Sequence, residues 1–202
     1  MELWGGIECA HVHLRDRTVD QLELTGHLWR ESDLKLLAPV GFEALRYPLL
    51  RDRILPPHAA TPDWSWPDRR LASLRRSGIR PVVTLLHHGT RYGNSDVRHG
   101  EFARSLAGFA GLAAERYPWL QDFTPVNEPL TSARFSCLYG FWYPHSRSEP
   151  EFMRALLTLC RATVMSMQAV RRINPAARLM HTEDLGFSHG TDLLTYQADF
   201  EN

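Results

Sequence analysis

Short apolar runs alternate with stretches of helical periodicity along the chain, about one pair per 40 residues, and this limits the fold more than any other feature. The runs are residues 3–10 (LWGGIECA), 42–47 (FEALRY), 81–86 (PVVTLL), 123–126 and 178–182 (RLMHT). PVVTLL is continuously apolar and β-branched, the pattern of a strand covered on both faces. Between the runs, helices are expected over 31–40, ended by Gly41, and over 68–77, opened by Pro67 and ended by Gly78. A longer helix follows, in which Phe102, Leu106, Phe109, Ala110, Ala113 and Tyr117 recur at helical spacing. The last helix, 151–173, places Phe152, Leu156, Leu159, Thr163, Met167 and Val170 on one side and stops at Asn174-Pro175.

Strand–helix alternation of this kind builds βα units with parallel strands and right-handed crossovers, so the class is α/β. No strand is followed by a glycine-rich turn of the GxGxxG or GxxxxGK[ST] kind, which disfavours a phosphate-cradling doubly wound sheet. Polar residues stand instead at or just past the strand ends: Arg46, His87-His88, Asn127-Glu128 and Glu183-Asp184. In a parallel barrel those ends converge on one mouth. A complete eight-stranded barrel takes about 250 residues, and this chain has 202. The expectation is therefore a truncated (β/α) barrel of about five parallel strands with outer helices, residues 1–202 forming one incomplete domain.

Composition excludes several classes of function. Lys plus Arg equals Asp plus Glu at 23 each, so no global charge favours nucleic acid or an anionic membrane. No run approaches the ~18 apolar residues of a membrane span, and residues 1–14 lack the basic start and apolar stretch of a secretion signal. Cys9, Cys137 and Cys160 are odd in number and far apart, which argues against a disulfide framework. A cytoplasmic protein without cofactor is expected.

Asn127-Glu128-Pro129 is the most informative triplet. A carboxylic acid at a strand end beside an aromatic loop (139–143) is partly desolvated and is thereby suited to hold a proton and pass it to a glycosidic oxygen. Asn127 can both donate to and accept from a sugar hydroxyl.

Residues 124–129 (TPVNEP) resemble the T-[F/L]-N-E-P signature of glycoside hydrolase family 1, the β-glucosidase family of (β/α) barrels. Four further stretches are similar to the family's pattern in the same order. Leu3-Trp4-Gly5-Gly6 resembles its first-strand F-L-W-G-A, and Leu45-Arg46-Tyr47-Pro48 with Arg53-Ile54 its Y-R-F-S-x-x-W-x-R-I. Residues 83–87 (VTLLH) match V-T-L-x-H, and Tyr139-Gly140 with Pro144 is loosely similar to G-Y-G followed by A-P-G. The resemblance implies a hydrolase of β-glycosides with Glu128 as general acid/base. It further implies that Asn127 and His87 bind sugar hydroxyls and that Arg46 orients an anionic nucleophile. Trp142, with Trp64 and Trp66, offers a stacking platform for sugar rings.

Two departures from the family stand out. Its first-strand glutamine is absent, the aligned stretch being His11-Val12-His13, and its strand-seven E-N-G nucleophile motif has no counterpart, Glu201-Asn202 being a coincidence of letters. Glu183 is then the nearest second carboxylate. Adjacent strands lie about 4.8 Å apart, compatible with either the ~5 Å of retaining or the ~6.5–9.5 Å of inverting hydrolysis. A five-stranded sheet does not close, so an apolar inner face and open edges are expected to pair two copies into a homodimer or higher oligomer. Two other readings stay open: a non-catalytic barrel remnant that binds sugar or a protein, and a metal-dependent hydrolase using His11 and His13, with His181 as a further ligand.

Overall fold

The structure is a computed structural model that describes every residue except Met1, Thr90, Asn94, Leu185 and Asn202; Glu201-Asn202 thus falls partly outside the described residues. In chain order the elements begin with β1 (Trp4–Gly6), a hairpin of β2 (His11–His13) and β3 (Thr18–Asp20), and helices α1 (Gln21–Leu24) and α2 (Asp33–Leu37). There follow β4 (Ala44–Pro48), α3 (Arg51–Ile54), α4 (Ser65–Arg76), β5 (Arg80–Thr84) and a small hairpin of β6 (Arg91–Tyr92) and β7 (Ser95–Asp96). The remainder comprises α5 (Gly100–Arg116), β8 (Asp122–Thr124), α6 (Pro129–Ala133), α7 (Glu149–Ile173), β9 (Arg178–Leu179) and α8 (Thr195–Glu201).

Five of the strands form one parallel sheet in the order β1-β4-β5-β8-β9, the order in which they occur in the chain. This is the α/β half-barrel that the alternation implies, with helices on the outer side. Each strand, two to five residues long, is shorter than its apolar run, because the chain then leaves the ladder to form the loops at the mouth. Gly41 ends the turn after α2 in the left-handed conformation at φ 87°, which suits its lack of a side chain.

The register assigns the two faces. Leu45, Tyr47, Val83 and Phe123 alternate onto the helical side and join Leu71, Phe102, Leu106, Phe109, Leu159 and Val170 in one buried core. Helices α5 and α7 pack on each other, close enough at Gly111 that a side chain there would meet the Cβ of Ala169 at 3.9 Å, and Ala103, Ala110, Ala155 and Ala162 of the two helices are fully or almost fully buried. Trp64 stacks on Phe109 with ring centres 5.8 Å apart, and Trp66 stacks on Tyr47 at 5.8 Å. Both tryptophans therefore belong to the helical layer, which removes them as a sugar platform.

The concave face differs from the expected apolar one. Trp4, Ala44 and Arg80 stand in one row across the strands, and Gly6, Arg46, Val82, Asp122 and Arg178 in the next. Asp122 is 1% exposed and accepts from Arg178 Nε at 2.7 Å, from Arg178 Nη2 at 2.9 Å and from Arg80 Nη1. Arg80 also donates to Glu2 at 3.0 Å and lies over the Trp4 ring at 4.9 Å. The expectation failed because the strand alternation sends the aliphatic residues to the helices and leaves charged ones inside. Replacing Asp122 by Ala leaves two arginines without their shared acceptor and is expected to destabilise the fold by about 2 kcal/mol, less than a fully buried pair because both arginines reach solvent. Urea denaturation of D122A beside wild type checks this; an unchanged midpoint contradicts it.

Candidate active site

The residues singled out from the sequence gather at the carboxyl ends of β4, β5 and β8. The ladder between β5 and β8 continues one step beyond the strands as a parallel bridge between His87 and Asn127, with Asn127 N donating to Leu86 O at 3.0 Å. The next residue on each side, His88 at φ 57° and Glu128 at φ 44°, adopts the left-handed backbone. That conformation is costly for a residue with a Cβ and occurs preferentially at functional sites. Here it turns both side chains out of the strand direction and towards each other: His88 Nε2 lies 3.6 Å from Glu128 Oε2. Pro129, at the start of α6, fits the first helical turn without needing an N–H.

Asn127 is the hub of the site. Its Oδ1 accepts from Arg46 Nη1 and, at 3.0 Å, from Thr182 Oγ1, and its Nδ2 donates to His88 Nε2 at 3.1 Å. It is fully buried, so the amide expected to meet a sugar hydroxyl is engaged with protein groups in this state. Since His88 Nε2 accepts, its proton sits on Nδ1, 3.0 Å from Ser132 Oγ.

Arg46 reaches from inside β4, with Nη2 donating to Glu8 Oε1 at 3.0 Å and lying 3.4 Å from His87 Nε2. His87 Nε2 is also 3.4 Å from Glu8 Oε2. Glu8, just past β1, lies against Arg46 and His87 and was not singled out from the sequence. The available signal was its position two residues after Gly6, at the same strand-end level as the other polar residues.

Burial, the neighbouring His88 and the Arg46 cation push the His87 imidazole down to about 3. Burial and Arg46 likewise bring His88 down to about 4, Glu8 opposing the shift. Both rings are neutral at pH 7.

Glu183 contacts the start of α6. Its Oε1 accepts from Leu130 N at 2.8 Å, and Oε2 is buried without a hydrogen-bond partner. The carboxylate thus accepts from a backbone N–H in the first turn of α6. Trp142 lies with its ring centre 5.0 Å from His88 and 4.8 Å from Phe135, at the rim of the cluster. His11 and His13 lie on the β2–β3 hairpin with rings 5.3 Å apart. Among the described residues no three His, Cys, Asp or Glu side chains gather as metal ligands would.

No protein-family model matches the chain. It is 34% identical over 149 residues to the bifunctional β-D-glucosidase/β-D-fucosidase of Bifidobacterium breve, covering 68% of this chain and 32% of that protein. It is 28% identical over 178 residues to a 6-phospho-β-glucosidase of Clostridium longisporum, covering 78% and 36%. The chain thus spans about a third of the length of these curated relatives. Among solved structures, an enzyme designated AHE from Alicyclobacillus herbarius superposes with a TM-score of 0.74 at 24% identity, covering 87% of this chain and 42% of that one. A family 1 β-glucosidase from Thermotoga maritima gives 0.70 at 20% identity, covering 83% and 40%. The chain is therefore similar to part of these β-glucosidases and shares the fold of part of the family 1 barrel.

The two depressed histidines fix a pH dependence. An unfolded histidine binds its proton below about pH 6.5, whereas the folded His88 takes one up only near pH 4 and His87 only near pH 3. The unfolded chain binds more protons in that interval, so stability falls as pH drops from 6.5 towards 4, by up to about 1.4 kcal/mol per pH unit for each histidine. His88→Asn, which keeps a side chain tolerant of the left-handed backbone, is expected to show a shallower loss. Denaturation midpoints at pH 7, 6, 5 and 4 measure the two slopes, and equal slopes contradict the assignment.

Proposed function

We propose that this chain takes part in the hydrolysis of β-glycosides, with Glu128 as the general acid/base. The observation that carries this reading is the placement of Glu128. It stands at the end of the fourth strand of the sheet, turned by a left-handed backbone out over the mouth, its side chain 25% exposed against His88. The likeness to β-glucosidases supports it. Protonated Glu128 gives its proton to the glycosidic oxygen as the bond to the anomeric carbon breaks, and the resulting carboxylate then takes a proton from the attacking water. Arg46 and His87 hold the anionic side of the site, and Trp142 offers an apolar face at its rim for a sugar ring. On a reorganised mouth, Asn127 and His87 meet substrate hydroxyls. The three free thiols, Cys9 and Cys137 buried and Cys160 exposed, support a reducing, cytoplasmic setting. Among the described residues no helix is long and apolar enough to cross a membrane.

Hydrolysis of nitrophenyl β-glucoside, β-galactoside and β-fucoside tests the proposal. Glu128→Gln is expected to lower the rate at least about 100-fold while leaving the fold intact by circular dichroism. Turnover that E128Q leaves unchanged overturns the role of Glu128.

A non-catalytic, sugar-binding barrel remnant is the second reading, favoured by one observation: Glu183 is committed to the backbone of α6. Binding of an aryl glycoside without turnover, unaltered in E128Q, would establish it.

Self-association is part of the proposal as well, carried by the open edges β1 and β9 rather than by the concave face. Light scattering at micromolar concentration is expected to give twice the chain mass; a clean monomer removes this element.

A further inference from the structure

We propose that the cleft between the β2–β3 hairpin and the loop after α3 is a second carbohydrate-binding site, one that takes a single neutral sugar ring through neighbouring hydroxyls. The cleft has a volume of about 300 Å³, and His11, His13, Asp52 and Arg91 supply its polar groups. Pro56, Pro57 and Tyr92 form its apolar walls. That volume is at the small end of the ~300–1,000 Å³ of ligand pockets, and a few convergent polar groups among apolar walls are what such pockets share. None of these side chains belongs to the cluster around Asn127 and Glu128.

Asp52 sets the chemistry. Its side chain is only 17% exposed, yet among the described residues it has one hydrogen bond, a long one of 3.4 Å from Arg51 Nε. The Arg51 guanidinium lies over the rings of Tyr92 and Phe102, 3.8 and 4.5 Å from their centres, and gives the carboxylate little more. A largely buried carboxylate with unused acceptor positions calls for O–H or N–H donors. His11 and His13 stand two apart on β2 and so face the same side, their rings 5.3 Å apart. Burial holds both imidazoles below their ordinary range, so at pH 7 each is neutral and carries one donor and one acceptor nitrogen. The charges of Asp52 and Arg91 cancel, which suits a hydroxylated, uncharged ligand better than a phosphate or an amine.

The walls stand ready before any ligand arrives. A Cβ at Gly89 would lie 2.9 Å from Asp52 Oδ2, so the carboxylate occupies the space that a side chain there would need. Tyr92 Oη donates to Leu55 O at 2.5 Å, and Gly93, at φ 61°, lets the β6–β7 hairpin come down on Pro57, where a Cβ would meet the proline at 3.1 Å. Fixed walls lower the entropy lost on binding. The cleft also shares the rim of the mouth: Tyr143 N donates to His13 O at 2.9 Å, and Arg91 lies over the Tyr143 ring at 5.2 Å.

The experiment titrates D-glucose into the 202-residue chain and follows the imidazole signals by NMR, assigned through His11→Gln and His13→Gln. Glucose has no glycosidic bond to cleave, so the outcome is separate from the role of Glu128. The His11 and His13 signals are expected to move together and to saturate with a dissociation constant of about 1 mM. Asp52→Asn is expected to weaken binding about tenfold or more. Gly89→Ala, which pushes the Asp52 carboxylate aside and leaves both histidines in place, is expected to do the same. Circular dichroism of the two variants should match wild type, separating a lost site from a lost fold. No saturable movement up to about 100 mM glucose, shifts confined to His87 and His88, or a D52N that binds as wild type overturns the proposal. So does a cleft that responds to sodium phosphate or zinc chloride in place of glucose.

Discussion

The amide of Asn127 is the contact on which the site depends. It is buried and joined to Arg46 of β4, to His88 beyond β5 and to Thr182 beyond β9. Hydrogen bonds to a buried amide from three directions are costly to lose, since each broken one leaves a polar group without water. The cluster therefore holds its members at fixed separations even though they come from distant parts of the chain. Glu128 inherits this order directly: the residue before it is locked, and Pro129 after it is confined to the start of α6. The left-handed backbone at Glu128 and His88 is the local cost of aiming two side chains away from the sheet, and the packed surroundings bear it.

Electrostatically the mouth is built around one cation. Arg46 faces a carboxylate, an amide oxygen and an imidazole, and its charge helps to keep both histidines deprotonated. Neutral imidazoles can accept as well as donate, which is why Asn127 and Arg46 can each direct a hydrogen at one of them. A fully protonated pair would offer no acceptor to either group, and the network would have to open.

Much of this was legible in the sequence, for reasons particular to each element. The runs around Val83 and Phe123 were readable as strands because β-branched and aromatic residues in short apolar stretches have few other uses in an α/β chain, and α5 and α7 because their stripes extend over several turns. The two small hairpins, β2–β3 and β6–β7, were not readable, since two- and three-residue strands leave no periodicity. The polarity of the concave face was missed because single charged residues within apolar strands, such as Arg80 and Asp122, reveal their side only once the register is known. Arg46, His87, Asn127 and Glu128 were singled out through motif and strand-end position together, and the structure brings them to one mouth. Glu8 was not singled out because a lone acidic residue in a glycine-rich stretch shows no partner in sequence, and the contact of Glu183 with Leu130 N was not legible because proximity to a strand end does not say which backbone amide a carboxylate will reach.

The ion pairs of the concave face carry a consequence for how such a sheet can be completed. In a closed barrel of aliphatic layers, any greasy surface of the right curvature lowers the free energy by excluding water, and selectivity is poor. Here Asp122 already has its hydrogen bonds from Arg80 and Arg178, and Trp4 is already covered by a guanidinium. Burying this face beneath an indifferent apolar surface would strip water from the two arginines and return little in exchange. Only a chain segment presenting acceptors at matching heights gains by docking there, so the charged interior acts as a lock on the identity of the remaining wall.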